Sequence, residues 1–541
     1  MKASWRASAS SDSSYWLTEP LAARQPVNPD PGLINEDFKP TEESKRTFGV
    51  SDIAALWIGL VISVPAYYLA GSLVELGMSW WQGILTIFIS NAIVLVPMIL
   101  NAHSGTKYGV PFPVLTRAAF GIRGATIVGV LRGLVACVWF GIQTWVGGTS
   151  LLTLYEALAG PIGAAPLAIL GGITLPQFSF FLIFWCIQVL VLIKGIESIR
   201  IVEKYSAPIL IGLSTALLIW AIWRANGMGP MLSTTSQFGP GGAKEGQFMK
   251  VFLPSVTANV GFWSTLSLNI PDFTRYAKSQ KAQLTGQAVS ISPSFFFFPL
   301  NFEFKQPRLA PSITDTARCP SILLQIGLPV FMALFSFLGV AVTSATTVIF
   351  GQVISDPVEV VSRIQGIMPT ILSLVGLMLA TISTNIAANV VAPANALVNL
   401  APRQISFTKG AFITAVIGII TQPWRLLSST EGYIFTWLIG YSALLGPIAG
   451  IIIADYFIVR KRTLDIDALY STTGSYWYAN GYNSKAFIAM IIGVIPSLPG
   501  FLNVALPNFA VPKIFQTLYS CAWFVGFGIS IIAYLIINGD D

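Results

Sequence analysis

Twelve stretches of the chain are apolar without the two-residue alternation of a half-buried strand. They run over 52–74, 79–101, 133–157, 176–194, 206–223, 251–271, 326–351, 366–396, 410–422, 432–457, 485–505 and 513–538. Most reach the roughly 20 residues that a helix needs to cross hydrocarbon, and they are too long for barrel strands. Helix is the state that satisfies every backbone N–H and C=O in lipid. The pattern therefore predicts an all-α polytopic membrane protein of about twelve transmembrane helices. Spans one to six fill 49–287, and spans seven to twelve fill 326–541. Residues 1–48 are polar and carry five prolines, which predicts a tail on the cytoplasmic or stromal side.

Composition agrees. Only 10% of the 541 residues are charged and 54% are hydrophobic, against about 25% charged in a soluble domain. Mean hydropathy is +0.69. Soluble, disordered, fibrous and nucleic-acid-binding classes are excluded, so the net charge of +7 marks a membrane face. With the N-terminus inside, 25 of the 31 Lys and Arg residues fall on inner segments, which predicts both termini inside. The Ser-rich start lacks the apolar core of a secretory signal. It fits either an organelle transit peptide or a disordered tail, and the membrane is expected to be the plastid envelope or the plasma membrane.

Residues 288–325 break the pattern. They hold five prolines and four consecutive phenylalanines and have little helical periodicity. A lid is one reading. A retained intron is the reading favoured here. Every Val codon begins GT and Val289 stands at the left junction. A Gln codon can end in AG and Gln325 stands at the right junction. The 38 codons contain no stop.

Candidate chemistry follows from what is rare inside the spans. Glu75, Glu156, Asp272 and Asp455 sit near span ends, so a charged cargo is disfavoured and a neutral, planar one is favoured. Cys137, Cys186, Cys319 and Cys521 lack metal-ligand spacing, and His103 is the only histidine; both argue against a zinc or haem site, and no cofactor is expected. Four polar or aromatic clusters stand out. Pro65 breaks the first span after Ser63, which exposes carbonyls suited to a cation. Trp139 and Gln143 share a helix face, an indole for stacking beside a carboxamide that donates and accepts. Trp263 offers a second ring face after Gly261, where a helix can approach closely. Ser383 and Thr384 supply adjacent hydroxyls, and Asn389 another amide. Each has a plainer reading as a kink, interhelical packing or back-bonding.

The strings ALWIGLVISVP, FGIRG at 120–124, WFGIQTW at 139–145, NIPDFTRYAKSQ at 269–280, STNIAANVVAPANALVNL at 383–400 and GPIAGIIIADYFIVRKR at 446–462 resemble the nucleobase:cation symporter-1 family. The likeness runs from about residue 30 to 505 and is strongest to its plant, plastidic branch. The resemblance implies a leucine-transporter-like fold of two inverted five-helix repeats plus two C-terminal helices, working by alternating access. It implies ring stacking by Trp139 and Trp263 and amide bonding by Gln143 and Asn389. Phe262 falls where bacterial relatives place a glycine, and Ser63 where they place a glutamine; both count as substrate-site positions. It also implies a sodium site from the carbonyls of Gly59, Ile62 and Ala380 with the hydroxyls of Ser383 and Thr384. Plant and fungal relatives are thought to use protons, so the co-transported ion is H+ or Na+. Glu75, Asp272 and Asp455 are then the carboxylates available to carry a proton. The expected function is symport of uracil, adenine, guanine or related ureides, without catalysis. The alternatives are thiamine, nucleoside or allantoin transport on the same fold, or a non-transporting membrane sensor. An intramembrane enzyme lacks an acid pair or a nucleophile–base pair at depth.

Overall fold

The computed structural model describes residues 19–165, 167, 171–193, 196–288, 327–364, 366–401, 404–506 and 508–539. The anomalous segment lies outside these apart from Ala288, as does the start of the polar segment to residue 18. Helices account for the architecture, with two isolated β-bridges. The principal ones are α1 (Val50–Val61), α2 (Val64–Glu75), α3 (Trp80–Tyr108), α4 (Phe112–Phe120), α5 (Gly124–Ala159), α6 (Leu175–Ile193) and α7 (Ile196–Arg224). There follow α8 (Phe248–Asn269), α9 (Gln280–Ala288), α10 (Gly327–Phe350), α11 (Pro357–Ser362), α12 (Ile367–Asn389), α13 (Val391–Leu400) and α14 (Phe407–Ile420). The last are α15 (Ile439–Ile453), α16 (Ser484–Val494), α17 (Leu498–Ala505), α18 (Lys513–Ser520) and α19 (Ala522–Asn538).

A helix or broken pair occupies each of the twelve expected positions. Among the described residues seven helices are long and apolar enough to cross a bilayer, or nine when two bent pairs each count once. Ile209–Arg224 and Phe407–Ile420 are apolar but shorter, and α8 is too polar to pass that measure. α5 packs along α12, α3 along α8 and α10, and α15 along α19.

Two sequence limits need correction. The third span begins at Gly124 and not at 133, so Arg132 lies inside α5, 2% exposed. A guanidinium reads as a loop residue in a hydropathy scan. Here it is retained because it donates to Asn269 Oδ1 at 2.8 Å. The segment 102–132, left between the expected second and third spans, contains the end of α3, all of α4 and the start of α5.

Residues 19–48 of the polar segment run as a strap across one end of the bundle. Glu19 accepts from Lys107 at 2.7 Å and pairs with His103 at 2.8 Å and Arg462 at 3.4 Å. Arg24 forks onto Asp467, Arg117 donates to Leu33 O, Arg275 to Asp37 O, and Phe48 bridges Ala277. Phe38 is 1% exposed. Burial alone would raise the Glu19 carboxyl, but the bonds to His103 and Lys107 outweigh it and hold it at about 2. A depressed carboxyl contributes fully above its unfolded value near 4.5 and is lost as pH falls toward 2. Glu19→Gln is expected to loosen the strap, so limited trypsin at neutral pH should cut after Arg24 several-fold faster than in the parent. An unchanged rate would show that these ion pairs do not hold it.

Candidate functional site

The first span breaks where Pro65 requires it. α1 ends at Val61, and α2 starts at Val64 at an angle of 57°. Ser63 is extended (φ −140°, ψ 150°) and caps α2, its Oγ accepting from the Ala66 N–H at 3.4 Å. In a continuous helix the Ser63 N–H would bond Gly59 O; it turns to Val61 O instead, at 2.8 Å. The Ala66 N–H, which would have bonded Ile62 O, is taken by the Ser63 side chain. The carbonyls of Gly59 and Ile62 thus lose their helical donors, which leaves oxygen lone pairs at the break.

Three further helices meet this break. One cavity, about 410 Å3 counting its mouth, is lined by Ser63 and Pro65 from the break and by Trp139 and Gln143 from α5. Phe262, Trp263 and Thr265 come from α8, and Thr384 and Asn389 from α12. All six sequence-predicted substrate residues are brought together there. Of the cation set, Thr384 joins this cavity, while Ile62 and Ala380 line the neighbouring one, which Ser63 shares. Gly59 sits one turn back on α1, and Ser383, half-buried on α12, lines neither cavity. Glu75 accepts from Ser355, Asp272 from the Phe112 N–H, and Asp455 from Arg460 and Tyr534; none of the three lines the cavity.

The walls are aromatic. Trp139 meets Phe262 edge-on at 5.5 Å and is backed by Tyr433, Trp437 and Tyr441 at 6.0 to 6.5 Å. Phe262 is also edge-on to Trp263 at 5.0 Å, and Trp57 backs Trp263 at 5.4 Å. Phe262 therefore stands perpendicular to both indoles and shapes the space between them. Gly261 matters for the reason the sequence suggested: a Cβ there would lie 2.8 Å from Leu438 O. Tyr441 donates to Gly261 O at 2.8 Å across the same contact.

The polar atoms left over are informative. Among the described residues, Gln143 Oε1, Trp263 Nε1 and Thr384 Oγ1 are buried and find no partner. Such atoms cost roughly 1–3 kcal/mol each when unpaired, a cost that a bound ligand or ion removes. Thr381, in contrast, back-bonds to Leu377 O at 2.7 Å, the plain structural role. Behind Asn389 runs a buried network that sequence reading did not assemble. Asn389 Nδ2 donates to Asn385 Oδ1 (3.0 Å). Asn385 Nδ2 donates to Phe140 O (3.1 Å) and Gln188 Oε1 (2.8 Å). Gln188 Nε2 donates to Thr144 Oγ1 (2.9 Å), and Thr144 donates to Phe140 O (2.7 Å). The signal was a lone amide, Gln188, in the apolar run of α6; an intramembrane polar residue needs a partner.

A helix broken mid-span beside a cavity shared by α5, α8 and α12 defines a leucine-transporter-like polytopic transporter. The comparisons specify it further. The family model described as "permease for cytosine/purines, uracil, thiamine, allantoin" matches residues 40–300 and 315–526. The chain is 48% identical over 517 residues to a purine-uracil permease of Arabidopsis thaliana, covering 94% of this chain and 78% of that one. It is 38% identical over 512 residues to an allantoin permease of Bacillus subtilis, covering 93% of each. Among solved structures it resembles Mhp1, inward-facing (TM-score 0.67, 93% of each chain) and closed with bromovinylhydantoin bound (TM-score 0.65, 94% and 96%), at 24% identity in both. The chain belongs to this permease family, nucleobase:cation symporter-1.

Proposed function

We propose that this chain carries a neutral, planar nucleobase or cyclic ureide together with a cation, and that the cavity between Trp139 and Trp263 is where the cargo binds. The observation that carries this reading is one cavity lined by two indoles, two amides and a broken helix, with buried polar atoms awaiting partners. The cation would sit at the Gly59, Ile62 and Ala380 carbonyls with the Ser383 and Thr384 hydroxyls, adjacent to the base, and H+ or Na+ would serve. Each ligand then favours the state that occludes both, which couples their fluxes. The 25-to-6 division of basic residues supports placing the strap end on the cytoplasmic or stromal side, in the plastid envelope or the plasma membrane.

The test is uptake of labelled uracil in cells lacking their own base transporters, with residues 288–325 removed, competed by adenine, guanine, cytosine, allantoin and thiamine across sodium concentration and pH. Saturable uptake blocked by a base or ureide supports the reading. Surface-exposed protein with no uptake of any of them overturns it. Thr384→Ala is expected to raise the cation concentration for half-maximal uptake about tenfold, the equivalent of one lost oxygen ligand at roughly 1.4 kcal/mol. An unchanged cation dependence would remove Thr384 from the ion site.

A further inference from the structure

The geometry points to a second binding site, for a small organic cation, in the cavity where Asp356, Tyr68, Trp145 and Tyr433 meet. This cavity is distinct from the one between Trp139 and Trp263. Neither the site nor its test depends on the base-binding reading above.

The cavity has about 540 Å3 counting its mouth, a size ordinary for small-molecule sites. Tyr68 comes from α2, Trp145 from α5 and Asp356 from the residue before α11. Tyr433 comes from the helical turns Gly432–Leu438 that lead into α15. Pro65 lines this cavity and the Trp139 cavity alike, so the two adjoin at the break in the first span. Trp145 follows Trp139 by six residues on α5, about 9 Å along the helix axis. The direction is away from the strap, which is anchored at Lys107 and Arg117 before α5 begins. The second cavity therefore stands on the side of the Trp139 cavity that faces away from the strap.

Among the described residues lining this cavity, Asp356 is the one that carries a charge. Its plain role is to cap α11, with Oδ1 accepting from the Val358 N–H at 2.8 Å. That bond holds the carboxylate in place, and Ser355, which donates to Glu75 at 2.6 Å, ties the preceding residue to the end of α2. A cap needs a short polar side chain and not a charge, since Asn, Ser and Asp serve about equally. The charge itself has no ion-pair partner among the described residues. Arg363 pairs with Glu359 at 2.7 Å, and Lys244 donates to Leu76 O at 2.9 Å. Rings supply the rest of the site. Tyr68 and Tyr433 meet edge-on at 5.1 Å and form a corner. Trp145 is braced by Trp424 at 5.5 Å and Phe181 at 6.1 Å. Aromatic faces carry negative partial charge and attract cations, more strongly where water is partly excluded. Tyr433 is 1% exposed, and its Oη finds no partner among the described residues. An unbalanced carboxylate, three rings and an unsatisfied hydroxyl are complementary to a protonated amine on a small apolar or aromatic frame. A neutral ring of the same size gains the walls and leaves the carboxylate unmatched. A hard metal ion finds one carboxylate here and too few oxygens to replace its water.

The experiment is equilibrium binding of labelled benzylammonium at neutral pH to the purified full chain in lipid nanodiscs, with benzyl alcohol as the uncharged probe of the same shape. Benzylammonium is expected to bind about tenfold more tightly than benzyl alcohol. Asp356→Asn keeps a capping side chain and removes the charge, so it should weaken benzylammonium about tenfold and leave benzyl alcohol nearly unchanged. Trp145→Leu is the second variant, expected to weaken benzylammonium about threefold through the lost ring face. It carries the test where the Asp356 variant does not fold, and the comparison of the two probes in the parent needs no variant at all. Asn389→Ala, in the adjoining cavity, should leave benzylammonium binding within about twofold of the parent. Equal affinity for the two probes in the parent, or no saturable binding of benzylammonium, overturns the proposal. Parent affinity in Asp356→Asn overturns the role of the carboxylate. Loss of binding in Asn389→Ala with none in Trp145→Leu would put the probe in the Trp139 cavity and overturn the second site.

Discussion

Trp139→Ala should abolish most saturable uptake while the protein still inserts. The indole forms one wall of the cavity, and its loss removes a stacking face worth about 0.5–1.5 kcal/mol beyond area burial. The apolar area it offers a flat ring adds about 1–2 kcal/mol at roughly 25 cal/mol per Å2. A combined loss of about 2–3 kcal/mol corresponds to roughly a thirtyfold to hundredfold rise in half-saturation. Insertion survives because Phe262, Tyr433, Trp437 and Tyr441 ring the gap and the helix itself is held elsewhere along α12. The measurement is concentration-dependent uptake normalised to surface protein. Trp139→Phe should fall between parent and alanine. An alanine variant with the parent's half-saturation would mean the base binds elsewhere.

Arg132→Ala should act on the fold. Arg132 is 2% exposed, its Nη2 donates to Asn269 Oδ1 at 2.8 Å, and Asn269 Nδ2 reaches Asp272 Oδ2 at 3.3 Å. Asp272 in turn accepts from the Phe112 N–H at 2.8 Å. This relay ties α5 to the end of α8 and to the start of α4. Removing one partner of a buried charged set costs about 3–5 kcal/mol, because the remaining charge stays desolvated. The variant is expected to unfold at clearly lower temperature in detergent and to reach the membrane in reduced amount. Pairing Arg132→Met with Asp272→Asn removes both charges and should recover more than half of the loss. A single variant within about 0.5 kcal/mol of the parent, the range of a neutral surface change, would show the relay to be dispensable.

Much of the fold was legible because a bilayer imposes one strong rule on apolar length. The expected span 432–457 is Gly432–Val459, and 485–505 is Ser484–Ala505. What hydropathy could not see was polar structure with a tertiary partner. Arg132 passed for a loop residue, and the strap passed for a tail, since composition carries no record of Asp467, or of Tyr470 whose hydroxyl donates to Phe38 O, far along the chain. The break at Pro65 was legible from one residue. The break between α12 and α13 at Val390 has its own mark in Pro393, which denies Asn389 O a helical donor. Of the site, the residue types were legible, since aromatic and amide side chains stand out in apolar runs. Their orientations were not. Gln188 lies some two hundred residues from Asn385 in sequence, and only packing brings the two amides together.

The strap also has a history in time. Arg24 emerges early from the ribosome, yet its partner Asp467 lies 443 residues later. At about 5–20 residues per second, roughly 20 to 90 s pass before that partner exists. The Arg24–Asp467 end of the strap therefore closes only after ten of the twelve expected spans have been made. A chain stopped short of residue 460 would keep the strap's anchors at His103, Lys107, Arg117, Arg275 and Ala277 and lack those at Arg462 and Asp467.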